Sequence, residues 1–118
     1  MTRPKLTPRI AHSLAVRLYA ASGECDTRLE SAIAQDAVYA YRYAFSVLKS
    51  PWPEAESVIA QNPEWAYRYA MNVLQGPFLE AELVIAQNDY WAMRYATAVL
   101  GLLTFDEINR WKGKYLDS

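Results

Sequence analysis

Residues 58–83 read VIAQNPEWAYRYAMNVLQGPFLEAEL, and the same pattern recurs immediately before and after them. Residues 32–57 read AIAQDAVYAYRYAFSVLKSPWPEAES, and residues 84–109 read VIAQNDYWAMRYATAVLGLLTFDEIN. The first and second copies share 14 of 26 positions, and the second and third share 12 of 26, without any insertion. Tandem units of this length are typical of solenoid proteins, in which each unit packs mainly against its neighbours.

Each copy contains the signals of a longer helix followed by a shorter one. In the middle copy, Asn62 is a favourable N-cap and Pro63 suits the first helical position, which predicts a helix that begins at residue 63. Its apolar side chains have the spacing of an amphipathic helix, and they are Ala66, Tyr69, Ala70, Val73 and Leu74. Gly76 is predicted to end this helix in the left-handed conformation, and Pro77 prevents its continuation. Glu80 then opens the shorter helix.

The sequence therefore predicts one domain over residues 1–118, an all-α solenoid of about three and a half two-helix repeats with seven helices. Analogy with other helical repeats predicts a right-handed superhelix. The predicted parts are a divergent N-terminal unit over residues 1–31, the repeats 32–57, 58–83 and 84–109, and a C-terminal capping helix and tail over residues 104–118. The first helix is predicted to begin after Thr7, and capping boxes are predicted at residues 27–30 and 104–107. The last helix is predicted to end at Gly113.

Composition narrows the classes of function. Twelve basic and 13 acidic residues give a net charge of -1, which argues against a general affinity for nucleic acid or anionic membranes. A single cysteine, Cys25, excludes an internal disulfide, and a single histidine, His12, excludes a multi-histidine metal site. Both lie in weakly repeated segments, so neither is expected to serve as a catalytic group. We expect no cofactor, no membrane segment and a cytoplasmic location.

Arginines recur once per unit beside tyrosines, and the ladder consists of Arg17, Arg42, Arg68 and Arg94. Repeat proteins that read single-stranded RNA place arginines and aromatic residues one unit apart, so one hypothesis is an RNA-binding solenoid that also uses the basic arm with Arg3 and Lys5. Structural pairing is the favoured interpretation, because Glu64 lies four residues before Arg68 and further glutamates can meet the arginines between units. Partner binding is the third interpretation.

Aromatic and acidic residues concentrate in the middle of the chain. Tyr39, Trp65 and Trp91 each lie three residues before an arginine, so they are predicted to stack on it or to pack between units. Acidic residues greatly outnumber basic ones between residues 50 and 90, which can steer the chain toward a basic protein surface. The predicted partner-binding residues are Trp52, Glu54, Glu56, Trp65, Phe78, Glu80, Glu82 and Trp91. A solvated acidic face without a partner is the alternative.

The repeat resembles a family of short tandem α-helical repeats found in bacterial and phage proteins, whose unit reads PEGE, then AIA, then DPxYAYxYAxxVLxG. The resemblance is close over residues 32–100 and looser in the flanks. This sequence departs from the family pattern at Leu79, at Met93 and at residues 101–103. The resemblance supplies no catalytic residues, and it implies a phage or prophage origin with a partner that belongs to the bacterial host.

These observations lead to a functional prediction. The chain is predicted to be a non-catalytic protein-binding module, a phage accessory protein that inhibits or redirects a bacterial host protein in the host cytoplasm. The alternative function is binding of single-stranded RNA through the arginine ladder. The chain is predicted to be a monomer or a weak homodimer, with an uncapped end available for pairing.

Overall fold

The computed structural model describes residues 6–116, and within this range the chain is helical and contains no β-strand. The helices are α1 (Pro8–Ser22), α2 (Thr27–Ile33), α3 (Ala37–Tyr43), α4 (Pro53–Ile59), α5 (Pro63–Tyr69), α6 (Glu82–Ala86), α7 (Asp89–Ala98) and α8 (Phe105–Leu116). The all-α helical-repeat fold is confirmed, although these residues form eight α-helices rather than seven. Arg3 and Lys5 of the basic arm, and residues 117–118 of the predicted tail, lie outside the described residues.

Side chains placed at the helix starts explain where most helices begin. Asp36, Asn62 and Asn88 accept hydrogen bonds from backbone N–H groups in the first turns of α3, α5 and α7, as predicted. Thr7 caps α1 in the same way, with 3.2 Å between its Oγ1 and the Ile10 nitrogen. The predicted capping box at residues 27–30 is wrong, because the Asp26 carboxylate lies one residue earlier and caps α2.

The ends of the long helices repeat a left-handed residue every 26 positions. Lys49, Gln75 and Gly101 have φ angles of 52°, 55° and 73°, so the prediction that Gly76 would take this conformation is wrong by one residue. The α3 and α5 helices reach these residues through single π-helical turns, Ala44–Leu48 and Ala70–Leu74. In the third unit, α7 instead stays α-helical as far as Ala98.

The helices stack in two layers. The long helices are α1, α3, α5 and α7, where α3 and α5 are lengthened by their π-helical turns, and they pack in sequence on one side. The short helices α2, α4 and α6 form the other side together with α8. A 3-10 turn (Leu79–Ala81) precedes α6. The radius of gyration is 16.5 Å, larger than the roughly 13–14 Å of a compact domain of this length, and the extents are 57 × 30 × 19 Å. The chain is therefore an elongated stack; its predicted right-handed sense stays a prediction. No helix within residues 6–116 is long and apolar enough to cross a bilayer.

The core repeats as regularly as the sequence does. The largest fully buried side chains are Tyr43, Tyr69, Tyr95, Ile33, Ile59 and Ile85. Pairs of buried alanines four residues apart let adjacent long helices approach closely, and these pairs are Ala11 and Ala15, Ala40 and Ala44, Ala66 and Ala70, and Ala92 and Ala96. When Ala11 and Ala15 of α1 are matched with Ala40 and Ala44 of α3, each residue of α1 corresponds to the residue 29 positions later in the chain. Arg17 therefore aligns with Ser46, one turn away from Arg42, and does not continue the arginine row.

Candidate functional site

The most regular polar feature is a buried tyrosine hydroxyl in each unit. Each hydroxyl donates a hydrogen bond to a glutamate that lies 13 residues earlier, on the preceding short helix. The pairs are Tyr43 with Glu30 (2.7 Å), Tyr69 with Glu56 (2.6 Å) and Tyr95 with Glu82. Because each bond joins a short helix to the next long helix, the three pairs brace the stack along its length.

Two of these hydroxyls also cap a short helix. Tyr69 Oη accepts from the Trp52 backbone N–H at 2.8 Å, and Tyr95 Oη accepts from the Phe78 N–H at 2.9 Å. These two helix starts have no capping side chain of their own, so the tyrosine takes that role from 17 residues away. Burial, followed by the hydrogen bond to glutamate, raises the pKa of Tyr69 and of Tyr95 well above the ordinary value.

This network removes several residues from the predicted partner-binding surface. Trp52 is 6% exposed, Phe78 is 3% exposed and Glu82 is 3% exposed, so all three lie in the core. Trp52 packs on Tyr43 with ring centroids 5.1 Å apart. Glu56 is half-buried and holds the Tyr69 hydroxyl. Only Glu54 and Glu80 of the predicted acidic residues are well exposed, because alternate glutamates of a helix turn point to different sides.

The predicted ion pair within one helix, between Arg68 and Glu64, is confirmed, but the predicted ion pairs between units are not formed among the described residues. Arg68 and Glu64 form the expected pair, with 3.2 Å between Nε and Oε2. Within residues 6–116, the other ion pairs are Arg28 with Asp26 and Lys112 with Asp89. The predicted bridges between units, from Glu54, Glu56, Glu80 and Glu82 to the arginines, are therefore wrong, because these glutamates lie on the short helices.

The arginine row lies on aromatic rings along the exposed side of the long helices. The Arg42 guanidinium is 5.8 Å from the Tyr39 ring centroid, and that of Arg68 is 5.1 Å from the Trp65 centroid, as predicted. Arg94 differs, since its guanidinium lies over Tyr67 of the preceding unit at 5.7 Å and over Tyr90 at 5.6 Å. Arg17 is exposed and stands outside this row.

Aromatic pairs join neighbouring long helices beneath the arginines. Ring centroids are 5.4 Å apart between Tyr41 and Trp65, and 5.5 Å apart between Tyr67 and Trp91. His12 takes the equivalent place in α1, with its ring centroid 5.5 Å from that of Tyr39. Trp65 and Trp91 are half-buried in these contacts, so packing between units accounts for them. Burial, followed by the charge of Arg42, lowers the pKa of His12.

A groove of about 500 Å³ opens beside α8, and we call it the C-terminal groove. Its apolar lining consists of Pro77, Leu79, Leu100, Leu102 and Trp111. Glu107, Arg110 and Lys114 of α8 also line it. Leu79 stands where the previous copy has Pro53, and its side chain is 73% exposed. The equivalent groove between α2 and α4 has a mixed lining, with Thr27 in the place of Leu79 and with Ser31 and Glu54 beside Leu48.

The base of the C-terminal groove is a buried carboxylate. Glu82 accepts hydrogen bonds from the Tyr95 hydroxyl, from Trp111 Nε1 at 3.1 Å and from the Tyr115 hydroxyl at 2.6 Å. The hydrogen bond to Glu82, followed by burial, raises the pKa of Tyr115 to about 12. Because Trp111 and Tyr115 both reach back to Glu82, α8 continues through Gly113, and the helix end predicted there is wrong.

Within residues 6–116, no group of three or more His, Cys, Asp or Glu side chains is placed to hold a metal ion. Cys25 is exposed, and the Nε2 atom of His12 is buried without a hydrogen-bond partner among the described residues.

Sequence reasoning missed two features of this site. The glutamate and tyrosine pairs carry a visible signal, since Glu30, Glu56 and Glu82 each precede a tyrosine by 13 residues. The C-terminal groove lies where the sequence departs from the repeat, at Leu79 and at residues 101–103. Comparison of the chain with family models, with curated proteins and with solved structures found no match.

Proposed function

We propose that the chain is a non-catalytic protein-binding module and that the C-terminal groove holds its partner. The observation that carries this proposal is the exposed apolar lining, above all Leu79 at 73% exposure. Leu103 and Phe105, in the loop and first turn beside the groove, are 88% and 70% exposed. Such a concentration of exposed large apolar side chains is typical of interaction sites in soluble proteins.

The chemistry of the groove indicates the kind of segment that fits it. Apolar side chains of a partner would enter between Leu79 and Leu102, against the Trp111 ring. Arg110 and Lys114 at the edge favour a partner segment that carries acidic residues next to the apolar ones. The partner surface is therefore an apolar and acidic segment, which differs from the basic partner that the sequence pattern suggested.

The scaffold supports this role because the groove lies on braced helices. The bonds from Tyr95, Trp111 and Tyr115 to Glu82 hold α6, α7 and α8 together directly beneath the groove. A site built on a fixed framework loses little conformational entropy on binding, so a modest contact area can give useful affinity. The third unit departs from the repeat at the groove, while the repeat is regular elsewhere in the chain. This local departure supports a binding role for the groove.

A displayed peptide library tests the proposal. Peptides selected on the intact chain are expected to combine apolar and acidic residues, and Leu79→Asp is expected to weaken their binding about tenfold or more. Leu83→Asp is the matched control, because Leu83 is 46% exposed on α6 but does not line the groove. Peptides that bind the wild type and Leu79→Asp equally well would place the partner elsewhere. Failure to enrich any sequence would argue against a peptide-binding groove.

We extend this proposal to the biological setting that the repeat resemblance implies. The partner is then a bacterial host protein, and occupancy of its apolar and acidic segment inhibits or redirects it in the host cytoplasm. The support is the resemblance of residues 32–100 to repeats of bacterial and phage proteins. Inhibition is tested by adding the intact chain to the host protein that carries the selected peptide sequence, with Leu79→Asp as the inactive counterpart.

Binding of single-stranded RNA is the second candidate, and the exposed row of Arg42, Arg68 and Arg94 favours it. The guanidinium groups already cover the aromatic faces on which bases would stack, which is why we place this function second. Fluorescence titration with a short mixed-sequence RNA at low and moderate salt tests whether the arginine row binds RNA. Binding that falls steeply with salt and is lost in Arg68→Gln supports it, and flat traces rule it out.

A further inference from the structure

The outer face of α1 is an apolar stripe with nothing packed on it among the described residues. Leu6, Ile10 and Leu14 follow one another at intervals of four residues and are 38%, 45% and 43% exposed. Leu18 continues the line and is half-buried. The corresponding faces of α3, α5 and α7 are covered, because each of those helices packs on the long helix before it. The stripe is therefore a stacking face of the repeat that remains open.

A groove deepens this face where α1 meets α2. It has a volume of about 480 Å³ and is lined by Leu6, Leu14, Leu18 and Leu29, together with Asp26 and Arg28. We call it the N-terminal groove. On α1, which begins at Pro8, the stripe from Ile10 to Leu18 is about 12 Å long at 1.5 Å per residue, or a little over two turns, and Leu6 lies just before the helix. The shape and the stacking rule of the molecule both favour a helix as the occupant.

Arg17 on α1 indicates which charge the occupant of the groove should have. The buried pair Ala11 and Ala15 aligns with Ala66 and Ala70, which places Arg17 in register with Asn72. The Asn72 amide crosses the boundary between units and donates to the Tyr41 hydroxyl of the preceding unit at 2.8 Å. An arginine at the same position presents its guanidinium to whatever stacks on α1, and a carboxylate is its natural acceptor.

The charges on α1 itself have one sign. Beside the groove, Arg28 is already paired with Asp26, at 3.8 Å between Nε and Oδ1, and Glu24 is exposed in the loop after α1. Arg9 and Arg17 are exposed on α1, which carries no acidic residue. A second copy stacked here would bring its own arginines against these. Residues 1–5 read MTRPK and would likewise add basic side chains. Charge complementarity therefore favours an acidic occupant over either alternative.

We infer that the N-terminal groove binds an acidic amphipathic helix of another protein, which stacks on α1 as α3, α5 and α7 stack on the helices before them. The apolar face of that helix lies on Leu6, Ile10 and Leu14, and its acidic side chains meet Arg9 and Arg17. This site is separate from the C-terminal groove, so the failure of one proposal leaves the other intact.

Fluorescence anisotropy with a labelled model peptide tests this inference on the intact chain. The probe is a helical peptide of about 15 residues, with leucine along one face and glutamate along both flanks, and a scrambled peptide of the same composition is its control. We expect saturable binding of the probe but not of the scrambled peptide. Leu14→Glu is expected to weaken binding about tenfold or more, and Arg17→Glu to weaken it while strengthening a lysine-flanked version of the probe.

Val16→Glu is the matched control, because Val16 is 39% exposed on α1 but lies off the stripe. Circular dichroism of each variant confirms that the fold is kept. Equal loss of binding in Val16→Glu and Leu14→Glu overturns the inference. So does a dimer in sedimentation equilibrium that Leu14→Glu dissociates, since a second copy is then the occupant. Probe binding that appears only after deletion of residues 1–5 also overturns it, because the chain then covers its own groove.

Discussion

The two ends of the stack differ in how far their terminal helices cover apolar side chains. At the C-terminal end, α8 buries Ile108 and Trp111 against the last unit and closes on the Glu82 carboxylate. At the other end, α1 leaves Ile10 and Leu14 nearly half exposed. The terminal units of repeat proteins usually carry polar outer faces, and α8 presents Asp106, Asn109 and Arg110 to solvent beside the exposed Phe105. The face of α1 instead exposes large apolar side chains, which is the observation behind the binding site inferred there.

The difference also has an energetic side. Trp111 and Tyr115 each make a hydrogen bond and an aromatic contact at the C-terminal end, so substitutions there remove several interactions together. Ile10 and Leu14 in the stripe on α1 are nearly half exposed, so substitutions there should cost less stability. Substitutions of the side chains that bond Glu82 should therefore cost more stability than substitutions in the stripe on α1.

The largest expected effect on stability is that of Trp111→Ala. The substitution removes a buried indole that stacks on Tyr95 at 5.5 Å and donates to Glu82, so we expect a loss of about 3–5 kcal/mol in the free energy of unfolding. Leu14→Ala, at the open end, should cost less than about 1 kcal/mol. Urea denaturation followed by circular dichroism measures both. Similar losses for the two variants would contradict the contrast between the ends.

The buried Glu82 and the half-buried Glu30 should differ in how much stability they contribute. Glu82→Gln replaces an oxygen that accepts from Trp111 or Tyr95 with an NH₂ group, which leaves donors facing donors, and should cost about 1–3 kcal/mol. Glu30→Gln at the first unit should cost less, because Glu30 is half-buried and can turn its amide nitrogen to water while still accepting from Tyr43. Thermal unfolding of the two variants in parallel checks the order, which a larger loss for Glu30→Gln would reverse.

Alkaline pH should weaken the tyrosine network, because burial raises the pKa of Tyr43, Tyr69 and Tyr95. The pKa of Tyr115 is raised to about 12 and that of Tyr95 is also raised, whereas the unfolded chain ionises near 10.0. A raised pKa means that the stabilisation is full below pH 10 and is lost as the pH rises toward the folded pKa. Tyr115→Phe should flatten this decline in urea titrations above pH 10, and Tyr19→Phe on α1 is the control. An unchanged slope in Tyr115→Phe would contradict the assignment.

The left-handed helix ends give a smaller effect. Gly101 has a φ of 73°, and no atom lies within 4 Å of the place that an alanine Cβ would take, so Gly101→Ala adds backbone strain without a clash and should cost about 1 kcal/mol. Gln75 occupies the equivalent conformation at 55°, so Gln75→Gly should be neutral or stabilising by up to about 1 kcal/mol. Denaturation midpoints measure both variants. A stabilising Gly101→Ala would show that the left-handed geometry is wrong there.

Periodic and local features of this molecule could be read from the sequence. The unit boundaries, the caps at Asp36, Asn62 and Asn88, and the burial of the repeated tyrosines all follow from spacing and helix-end chemistry. The structure agrees with these because they depend on neighbours within one unit. The fold class was predictable for the same reason.

Features that depend on contacts between units were not predictable in this way. Glu54 and Glu56 look alike in the sequence, but only the second reaches a tyrosine of the following helix. The extension of α8 beyond Gly113 depends on Trp111 and Tyr115, which bond Glu82 across separations of 29 and 33 residues. The two grooves exist only after the helices have stacked, and their locations follow from which side chains remain uncovered.

The smallest expected effect concerns His12, which stands where later units have Tyr41 and Tyr67. Burial lowers its pKa below 6.5, so the unfolded chain takes up the proton more readily than the folded one. The stabilisation is therefore full above pH 6.5 and declines as the pH falls through the folded pKa, which loosens α1 on α3 at mildly acidic pH. His12→Tyr should remove this part of the acid dependence and complete the aromatic series at the open end. Hydrogen exchange of α1 amides at acidic and neutral pH measures it, and equal exchange in wild type and variant at both pH values would contradict the role given to His12.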